Sequence, residues 1–256
     1  MYAEERHRTI VNLALRHDRV SVADLAERFD VTTETIRRDL DLLDQRGLLR
    51  RVHGGAVLAD NVALVETALT EREPTFVAQK SRIAQAALAY LPGAGATVLF
   101  DSGTSVARLA AAVPPGTLGT VVTNSVPVAA QLAVTNGGTQ VYLLGGRVRG
   151  LTQATVGGET VAALGRLRCD VAFLGTNGVS VRHGFSTPDP DEAAVKEAMV
   201  AASRRVVVLA DSSKVGVELL VTFAPLGAID VLVTDSGISA RDLAELGEAG
   251  IEVVVA

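Results

Sequence analysis

The chain has 256 residues, of which 48% are hydrophobic and 4% aromatic, and its formal net charge is −5. This size fits two domains, and the aliphatic composition excludes a disordered chain and favours helices packed on a sheet. The single cysteine, Cys169, excludes an intramolecular disulfide. The N-terminal stretch MYAEERHRTI lacks the apolar core of a signal peptide, and no stretch reaches the roughly 18 apolar residues that cross a bilayer. We therefore expect a cytoplasmic protein with no membrane partner.

Residues 1–58 differ from the rest of the chain in charge. They carry as many basic as acidic residues, and every basic residue among them is arginine. A planar guanidinium group binds a phosphate or a guanine edge through two hydrogen bonds, which an ammonium group cannot do. This composition favours a nucleic-acid partner for the segment.

The segment predicts three short helices followed by a hairpin. An apolar stripe over residues 10–14 indicates the first helix, and Ser21 with Asp24 in capping-box spacing begins the second, VADLAERF. A tight turn follows at residues 30–31. Three elements of this kind before a hairpin are typical of a winged helix-turn-helix.

The third helix has two distinct faces. Thr32 or Thr33 is predicted to cap it, and Gly47 stands where the residue after the helix belongs. Its inner face consists of Ile36, Leu40 and Leu43, and its outer face of Thr35, Arg37, Arg38 and Asp41.

The stretch LLRRVHGGAVL predicts two strands around a His53-Gly54-Gly55 turn, whose glycines permit positive φ. Recognition helices place N-terminal residues at base edges, while hydroxyl groups and amides hold phosphates. A solvated face with Arg37 and Asp41 as an i, i+4 ion pair is the alternative. The predicted DNA-binding residues are Thr32, Thr33, Thr35, Arg37, Arg38, Arg50, Arg51, His53 and Gly54.

The run VSVADLAERFDVTTETIRRDLDLLDQRGLLRRVHGGA resembles the N-terminal signature of the DeoR family of bacterial transcriptional regulators. The family usually has serine near Thr32 or Thr33, so the hydroxyl group is kept here. The resemblance implies a DNA-binding domain at residues 1–58 whose partner is double-stranded operator DNA.

Residues 59–74 are acidic, have weak periodicity and predict a linker with a hinge or a short connecting helix. From Phe76 onward, helical patterns such as VAQKSRIAQAALAYL and DEAAVKEAMVAASR alternate with short β-branched runs. This alternation predicts right-handed crossovers and a mainly parallel sheet covered on both faces, an α/β domain at residues 75–256. The predicted strands are 98–100, 121–122, 141–144, 171–174, 206–209, 231–233 and 251–255.

Six predicted strands end in polar, glycine-containing or acidic stretches. In open α/β sheets, ligands bind beyond the carboxyl ends of the strands, where helix N-termini favour an anion. Any one stretch alone would be an ordinary polar turn, but six together predict a ligand crevice. The stretches are DSGTS (101–105), TNS (123–125), GGR (145–147), GTNG (175–178), DSSK (211–214) and TDSG (234–237).

The residue types in this crevice favour a polyol phosphate as ligand. Hydroxyl groups and amides at residues 102–105 cradle a phosphate in a pattern that is neither a Walker loop nor a dinucleotide fingerprint. Lys214 supplies a balancing charge, and Asp101 and Asp211 accept from hydroxyl groups. Lys80 and Lys196 are further candidates that could equally be surface residues. The predicted effector-binding residues are Lys80, Asp101, Ser102, Gly103, Thr104, Ser105, Thr123, Asn124, Ser125, Gly145, Gly146, Gly175, Asn177, Glu192, Lys196, Asp211 and Lys214. Loop residues Arg147, Arg149, Arg182 and His183 are expected to tune selectivity.

The run DSGTS…TNS…LLGG…FLGTNGV…GFST…EAAVK…ADSSK…TD is similar to the C-terminal sensor domain of the DeoR family. Such domains resemble sugar-phosphate isomerases and usually sense phosphorylated sugars. The stretches LLGGRVRGLTQATVG and FLGTNGVSVRHGFSTPDPDEAAVK most resemble actinobacterial fructose-operon repressors, which implies fructose 1-phosphate as effector. The resemblance implies a homo-oligomeric repressor without cofactor, metal or catalytic residue. An isomerase-like enzyme with an accessory DNA-binding domain remains the alternative.

Overall fold

A computed structural model of the chain describes residues 3–17, 19–45, 49–58, 68–135 and 138–256. The chain divides into two compact units, Met1–Glu66 and Thr67–Ala256. The predicted boundaries at residues 58 and 75 stay predictions, because most of the predicted linker lies outside the described residues. The predicted helix end at Gly47 also lies outside them.

The first unit is a helical cluster with a small antiparallel sheet. Its sheet has the strand order β1-β3-β2. The two strands of the predicted hairpin are confirmed as β2 and β3, whereas β1 was not predicted. Ile36, Leu40 and Leu43 are buried in the core, which confirms the predicted inner face of the third helix. The elements are α1 (Ala3–His17), β1 (Arg19–Ser21), α2 (Val22–Phe29), α3 (Thr33–Gln45), β2 (Leu49–Val52) and β3 (Gly55–Leu58).

The turns of this unit follow local chemistry. Ser21 caps α2 by accepting hydrogen bonds from the amides of Ala23 and Asp24, as predicted. Gly54 has a φ of 75° at the tip of the hairpin. Gly55 is not at positive φ, but a Cβ there would collide with the carbonyl oxygen of Val20, because β1 pairs with β3 at that point.

The second unit is built on a seven-stranded sheet of order β15-β14-β12-β9-β4-β5-β6, in which every neighbouring pair is parallel. All the predicted strand runs lie in this sheet, which confirms the mainly parallel α/β prediction. The elements are α4 (Leu69–Arg72), α5 (Val77–Ala87), β4 (Thr97–Phe100), α6 (Thr104–Ala112), β5 (Thr120–Thr123), α7 (Val126–Thr135), β6 (Gln140–Leu143), β7 (Arg147–Arg149), β8 (Ala154–Val156), α8 (Gly158–Leu164), β9 (Cys169–Gly175), β10 (Gly178–Ser180), β11 (Gly184–Thr187), α9 (Pro190–Ala201), β12 (Ser203–Leu209), β13 (Val221–Ala224), β14 (Val231–Thr234), α10 (Ala240–Glu248) and β15 (Glu252–Val255).

Two separate hydrophobic cores cover the two faces of this sheet. Buried residues of α5, α6 and α7 pack on one face, and buried residues of α8, α9 and α10 pack on the other. Two small antiparallel sheets, the β7–β8 hairpin and the β10-β11-β13 sheet, were not predicted. Within the part of the chain that the structure describes, none of the helices has the length and apolar character needed to cross a membrane.

Candidate functional site

The outer face of α3 presents two exposed arginines. The side chains of Arg37 and Arg38 are 57% and 78% exposed. Glu34 lies 3.3 Å from Nε of Arg38 and 3.9 Å from Nη1 of Arg37. Ion pairs at such exposed positions contribute about 0–1 kcal/mol, so both guanidinium groups can exchange this carboxylate for another anion.

Thr32 rather than Thr33 caps this helix. Its Oγ1 accepts a hydrogen bond of 3.1 Å from the amide of Thr35 and lies 2.9 Å from the hydroxyl oxygen of Thr35. The hydroxyl groups of Thr32 and Thr35 are therefore hydrogen-bonded to each other, while Thr33 is exposed at the start of the helix.

The hairpin is fastened to α3 by Arg51. Its Nη1 donates to Oδ1 of Asp41 at 2.8 Å and to the carbonyl oxygen of Arg37 at 2.9 Å. The proposed i, i+4 pair between Arg37 and Asp41 is therefore wrong, because Asp41 pairs with the hairpin. Arg50, His53 and Gly54 are exposed along the hairpin. Of the predicted hairpin residues, Arg51 contacts α3, and its side chain is 28% exposed there. The carbonyl oxygens of His53 and Gly54 accept from Arg19 and from the amide of Val22.

Beneath the outer face, Asp39 forms a buried ion-pair network that the sequence did not predict. Its Oδ2 accepts from Nε of Arg6 at 2.5 Å, and its Oδ1 lies 2.7 Å from Nε2 of His7. Burial raises the pKa of Asp39, but the hydrogen bonds from Arg6 and His7 outweigh burial, and the pKa lies below its ordinary value. The network joins α1 to the middle of α3.

In the second unit, strand alternation sends the two predicted aspartates to opposite faces of the sheet. Leu99 packs with the α8–α10 core and Phe100 with the α5–α7 core, so Asp101 follows on the α9 side. Leu209 packs with the α5–α7 core and Ala210 with the other, so Asp211 follows on the α5 side.

On the α9 side, Lys196 closes a buried polar cluster. Its Nζ donates to Oδ2 of Asp101 and, at 2.9 Å, to the carbonyl oxygen of Gly175. The amide of Gly175 donates to the same Asp101 oxygen at 3.0 Å. Lys196 also lies 5.4 Å from the ring centroid of Phe223. Lys196 is therefore not a surface residue, and it brings together the ends of β4 and β9.

On the α5 side, Lys80 is 5% exposed, and its Nζ donates to the carbonyl oxygen of Arg72 at 2.7 Å. Burial lowers the pKa of Lys80 to about 8. Asp211 opposes this shift, and the positive charges of Lys214, Arg72 and Arg108 reinforce it. The structure thus brings Lys80, Asp211 and Lys214 together and adds Arg72 and Arg108, which the sequence did not predict.

The only lysines of the chain are Lys80, Lys196 and Lys214. All three lie at the carboxyl edge of the parallel sheet, while arginine serves at every other basic position. A lysine shifts its pKa readily when buried and carries a compact charge, unlike arginine. This restricted use of lysine was a signal in the sequence for the site.

The end of β5 and the β7–β8 hairpin form the next part of the edge. The amide of Thr155 donates to the carbonyl oxygen of Asn124 at 2.8 Å, and Oγ1 of Thr123 accepts from the amide of Ser125 at 3.0 Å. Asn124 is 2% exposed, and its Oδ1 has no hydrogen-bond partner. An acceptor at Asn124 Oδ1 is therefore left for a donor from outside the chain.

Glycine is required at two positions of the predicted site, for different structural reasons. Gly103 has a φ of 126° at the start of α6, beside buried Ser102 and Ser105 and half-buried Thr104. Gly146 has a φ of 143°, and a Cβ there would collide with Oγ1 of Thr160, which donates to the carbonyl oxygen of Gly145 at 2.7 Å.

Two predicted effector-binding residues hold other elements in place. Oε1 of Glu192 accepts from Oγ1 of Thr152 and, at 3.3 Å, from Nη1 of Arg149. Oδ1 of Asn177 accepts from Oγ1 of Thr187 at 3.2 Å. Glu192 therefore fastens the β7–β8 hairpin to α9, and Asn177 fastens β11.

The residues expected to tune selectivity are engaged in ion pairs or backbone contacts. Arg147 and Arg149 lie in β7 rather than in a loop, paired with Asp191 and with Asp189 and Glu192. Arg182 and His183 do lie in a turn, where Arg182 pairs with Glu218 and His183 Nε2 lies 2.8 Å from the carbonyl oxygen of Leu219. No cluster among the described residues has the ligands for a metal ion.

Both units match models of one protein family. Residues 6–62 match the DeoR-like helix-turn-helix domain, and residues 75–236 match the DeoR C terminal sensor domain. The HTH-type transcriptional regulator GlpR of Haloferax volcanii is 39% identical over 256 residues, which cover 99% of this chain and 98% of that protein. The glycerol-3-phosphate regulon repressor of Escherichia coli is 31% identical over 92% of each protein.

Among solved structures, ribose 5 phosphate isomerase A from Neisseria gonorrhoeae is 15% identical with a TM-score of 0.37, covering 53% of this chain and 52% of its own. This overlap is too partial to transfer a function. The relatives are named as regulators, in agreement with the prediction that the chain is not an enzyme. Because both units match and the identity extends over nearly the whole length, the chain belongs to the DeoR family of transcriptional regulators.

Proposed function

We propose that this protein represses a sugar-utilisation operon and leaves its operator when a phosphorylated sugar binds at the carboxyl edge of the seven-stranded sheet. The observation that carries the proposal is the gathering of Lys80, Lys196 and Lys214 at that edge, with aspartates, amides and hydroxyl groups between them. The name of the glycerol-3-phosphate regulon repressor, a relative at 31% identity, supports a phosphorylated polyol as the effector class.

On the DNA side, α3 is proposed to enter the major groove of double-stranded operator DNA. Arg37 and Arg38 are exposed on its outer face and free to leave Glu34 for a base edge or a phosphate. The sugar-phosphate backbone of the DNA is contacted by Thr33 at the start of α3 and by Arg50, His53 and Gly54 of the hairpin. Arg51 contributes mainly by holding the hairpin against α3, since its guanidinium already binds Asp41.

On the effector side, the cations on the α5 face bind the phosphate group. Asn124, whose Oδ1 has no partner, and Asp101, whose Oδ1 has only a 3.4 Å contact with Ser102, accept from sugar hydroxyl groups. The amides and hydroxyl groups of residues 102–105 complete the cradle at the start of α6. Fructose 1-phosphate is the effector we propose to test first, because the 143–157 and 173–196 stretches resemble fructose-operon repressors.

The proposed organisation is a DNA-binding domain at residues 1–58, a linker at 59–74 and an effector domain at 75–256. A homo-oligomer is proposed because operators with two-fold symmetry are read by symmetric proteins. A cytoplasmic location follows from this function.

The test is a titration of operator-fragment binding against a panel of pentose, hexose and triose phosphates and the matching free sugars. We expect one phosphorylated sugar to release the operator and its free sugar to leave binding unchanged. NMR of the same mixtures should show no new product. Operator binding that no sugar phosphate changes, or turnover at ordinary enzyme rates, would contradict the proposal.

A further inference from the structure

The short helix α4 is the first described element after residues 59–67 and lies near the end of the proposed linker. It spans only Leu69–Arg72, and an isolated helix of this length is not stable in water. At its start, the amide of Leu69 donates to the carbonyl oxygen of Leu151, at the tip of the β7–β8 hairpin, at 2.8 Å. Its order therefore depends on contacts with the sensor unit.

At the other end of α4, two cations from different helices hold consecutive carbonyl oxygens. Lys80 of α5 donates to the carbonyl oxygen of Arg72 at 2.7 Å, and Arg108 of α6 donates through Nη2 to that of Glu73 at 3.3 Å. Nη1 of Arg108 also lies 3.5 Å from Oγ of Ser81. Cations near helix carbonyl groups are favourable in themselves, so these contacts alone indicate no ligand.

Two buried donors beside these contacts are unused. Nε of Arg72 and Nε of Arg108 are both buried and have no hydrogen-bond partner. Among the described residues, the three N–H groups of Lys80 Nζ make one hydrogen bond, to the carbonyl oxygen of Arg72. A buried N–H without a partner costs about 1–3 kcal/mol, and charged donors cost more. Donors left over on three neighbouring cations fit an anion with several acceptor oxygens.

The charges around these donors also favour an anion. Lys214 adds a fourth positive charge near Lys80, and Asp211 is the opposing carboxylate. Asp211 already accepts hydrogen bonds from the amide and the hydroxyl group of Ser213. The carboxylate is therefore partly occupied by its own turn, and the local charge stays positive.

We propose that the effector's phosphate group binds between Arg72, Lys80 and Arg108, and that it thereby ties α4 to α5 and α6. This inference rests on the proposed function and assigns the phosphate end of the same site. An anion that bridges Arg72 and the two helices orders α4, the helix at the end of the proposed linker. Phosphate binding then orders the segment next to the DNA-binding unit in the chain, and no change in the sheet is required.

The test measures binding of inorganic phosphate, fructose 1-phosphate and fructose to the full chain by calorimetry. Arg72→Gln and Arg108→Gln should each weaken binding of both phosphates about tenfold or more, because each loses a hydrogen bond between charged groups. Arg82→Gln is the matched control, since Arg82 is exposed on the same helix as Lys80, and its affinities should equal those of the wild type. Fructose should not bind at the concentrations at which fructose 1-phosphate does.

Hydrogen exchange provides the second measurement. Phosphate should slow exchange of the amides of residues 69–73 in the wild type and in Arg82→Gln, and leave it unchanged in the other two variants. The inference is overturned if the wild type binds no inorganic phosphate, if all variants bind it equally, or if exchange in α4 does not respond.

The same variants separate this inference from the proposed function. If a sugar phosphate releases the operator from Arg72→Gln and Arg108→Gln at the wild-type concentration, the assignment of the phosphate position is wrong and the repressor function stands. If phosphate binds as described but no sugar phosphate changes operator binding, the anion pocket stands and the proposed function fails.

Discussion

Lys196 forms a buried ion pair with Asp101 at the carboxyl edge of the sheet. Its side chain is 6% exposed and that of its partner Asp101 is 1% exposed. The lysine also bridges to the carbonyl oxygen of Gly175, so it joins a helix of one layer to the ends of two strands. A buried pair of this kind contributes little when both partners are replaced, but loss of one partner leaves a buried charge without compensation.

Lys196→Met should therefore lower the free energy of unfolding by about 3–5 kcal/mol, measured by urea denaturation. Arg241→Met, which removes one partner of an exposed ion pair with Glu245, should cost no more than about 1 kcal/mol. The double variant Lys196→Met with Asp101→Asn should recover part of the loss. A Lys196→Met protein as stable as Arg241→Met would show that the pair is solvated.

The lowered pKa of Lys80 leads us to expect that phosphate binding depends on pH. Because burial lowers its pKa to about 8, the ammonium is charged below that pH and neutral above it. The groups facing it are Asp211 and Lys214 after β12, Arg72 of α4 and Arg108 of α6.

A phosphate monoester is doubly ionised above its second pKa of about 6, and arginine keeps its charge. Affinity for a sugar phosphate should thus fall as the pH rises through about 8, and Lys80→Gln should bind more weakly but without this fall. Calorimetry between about pH 7 and pH 9.5 checks this. A flat profile for the wild type would mean that Lys80 does not contact the phosphate.

A buried aspartate on the inner side of α3 fixes this helix against α1. Asp39 binds Arg6 and His7 of α1, whereas Asp41, two residues later, is exposed and pairs with Arg51 of the hairpin. The lowered pKa of Asp39 means that its stabilisation is present above the ordinary carboxyl range and lost as the pH falls through it.

Asp39→Ala should destabilise the first unit by about 3–5 kcal/mol, because Arg6 stays buried without a partner. Asp41→Ala is the control and should cost about 1 kcal/mol or less. Hydrogen exchange of the α3 amides in urea measures both. Equal effects of the two substitutions would contradict a special role for the buried network.

The exposed arginines on the outer face of α3 are expected to contribute to operator binding. Arg38→Ala should weaken operator binding by about 1–3 kcal/mol if the side chain reads a base, or lower the salt slope by about one if it holds a phosphate. The same holds for Arg37→Ala. Fluorescence anisotropy at several salt concentrations separates the cases, with Arg82→Ala in the second unit as the charge-matched control. Unchanged affinity and slope for both arginines would leave this face as a solvated surface.

At the scale of the whole molecule, the two units differ in how much of them the sequence predicts. The strands of the large sheet could be predicted because each is a short β-branched run, and the inner strands β4, β5, β9, β12 and β14 are mostly buried and lead into polar turns. The small antiparallel strands could not, because segments such as Gly178–Ser180 and Arg147–Arg149 have three residues and little alternation. The helices and hairpin of the first unit followed from capping and apolar spacing.

The site residues also divide into those that the sequence predicts and those that it does not. Asp101, Asp211 and the glycines could be predicted from their place after strands, where the chain has to turn. Arg72 and Arg108 could not, because they come from a short helix at the end of the predicted linker and from the interior of α6. Asp39 was missed since a polar residue on an amphipathic helix usually faces solvent, and its partners are 32 and 33 residues away.

In the proposed function, a phosphorylated sugar at the carboxyl edge of the sheet controls DNA binding. A ligand shifts this equilibrium only through its different affinity for the two states, so weakening the site should remove the response and leave DNA binding intact.

The most direct test is operator release by fructose 1-phosphate and related sugar phosphates in the wild type, Lys214→Ala and Asp101→Asn, with circular dichroism to check folding. Without effector, we expect both variants to bind the operator with wild-type affinity. The effector concentration needed for release should be about one to two orders of magnitude higher in both variants. Release of the operator from both folded variants at the wild-type effector concentration would contradict the proposed function.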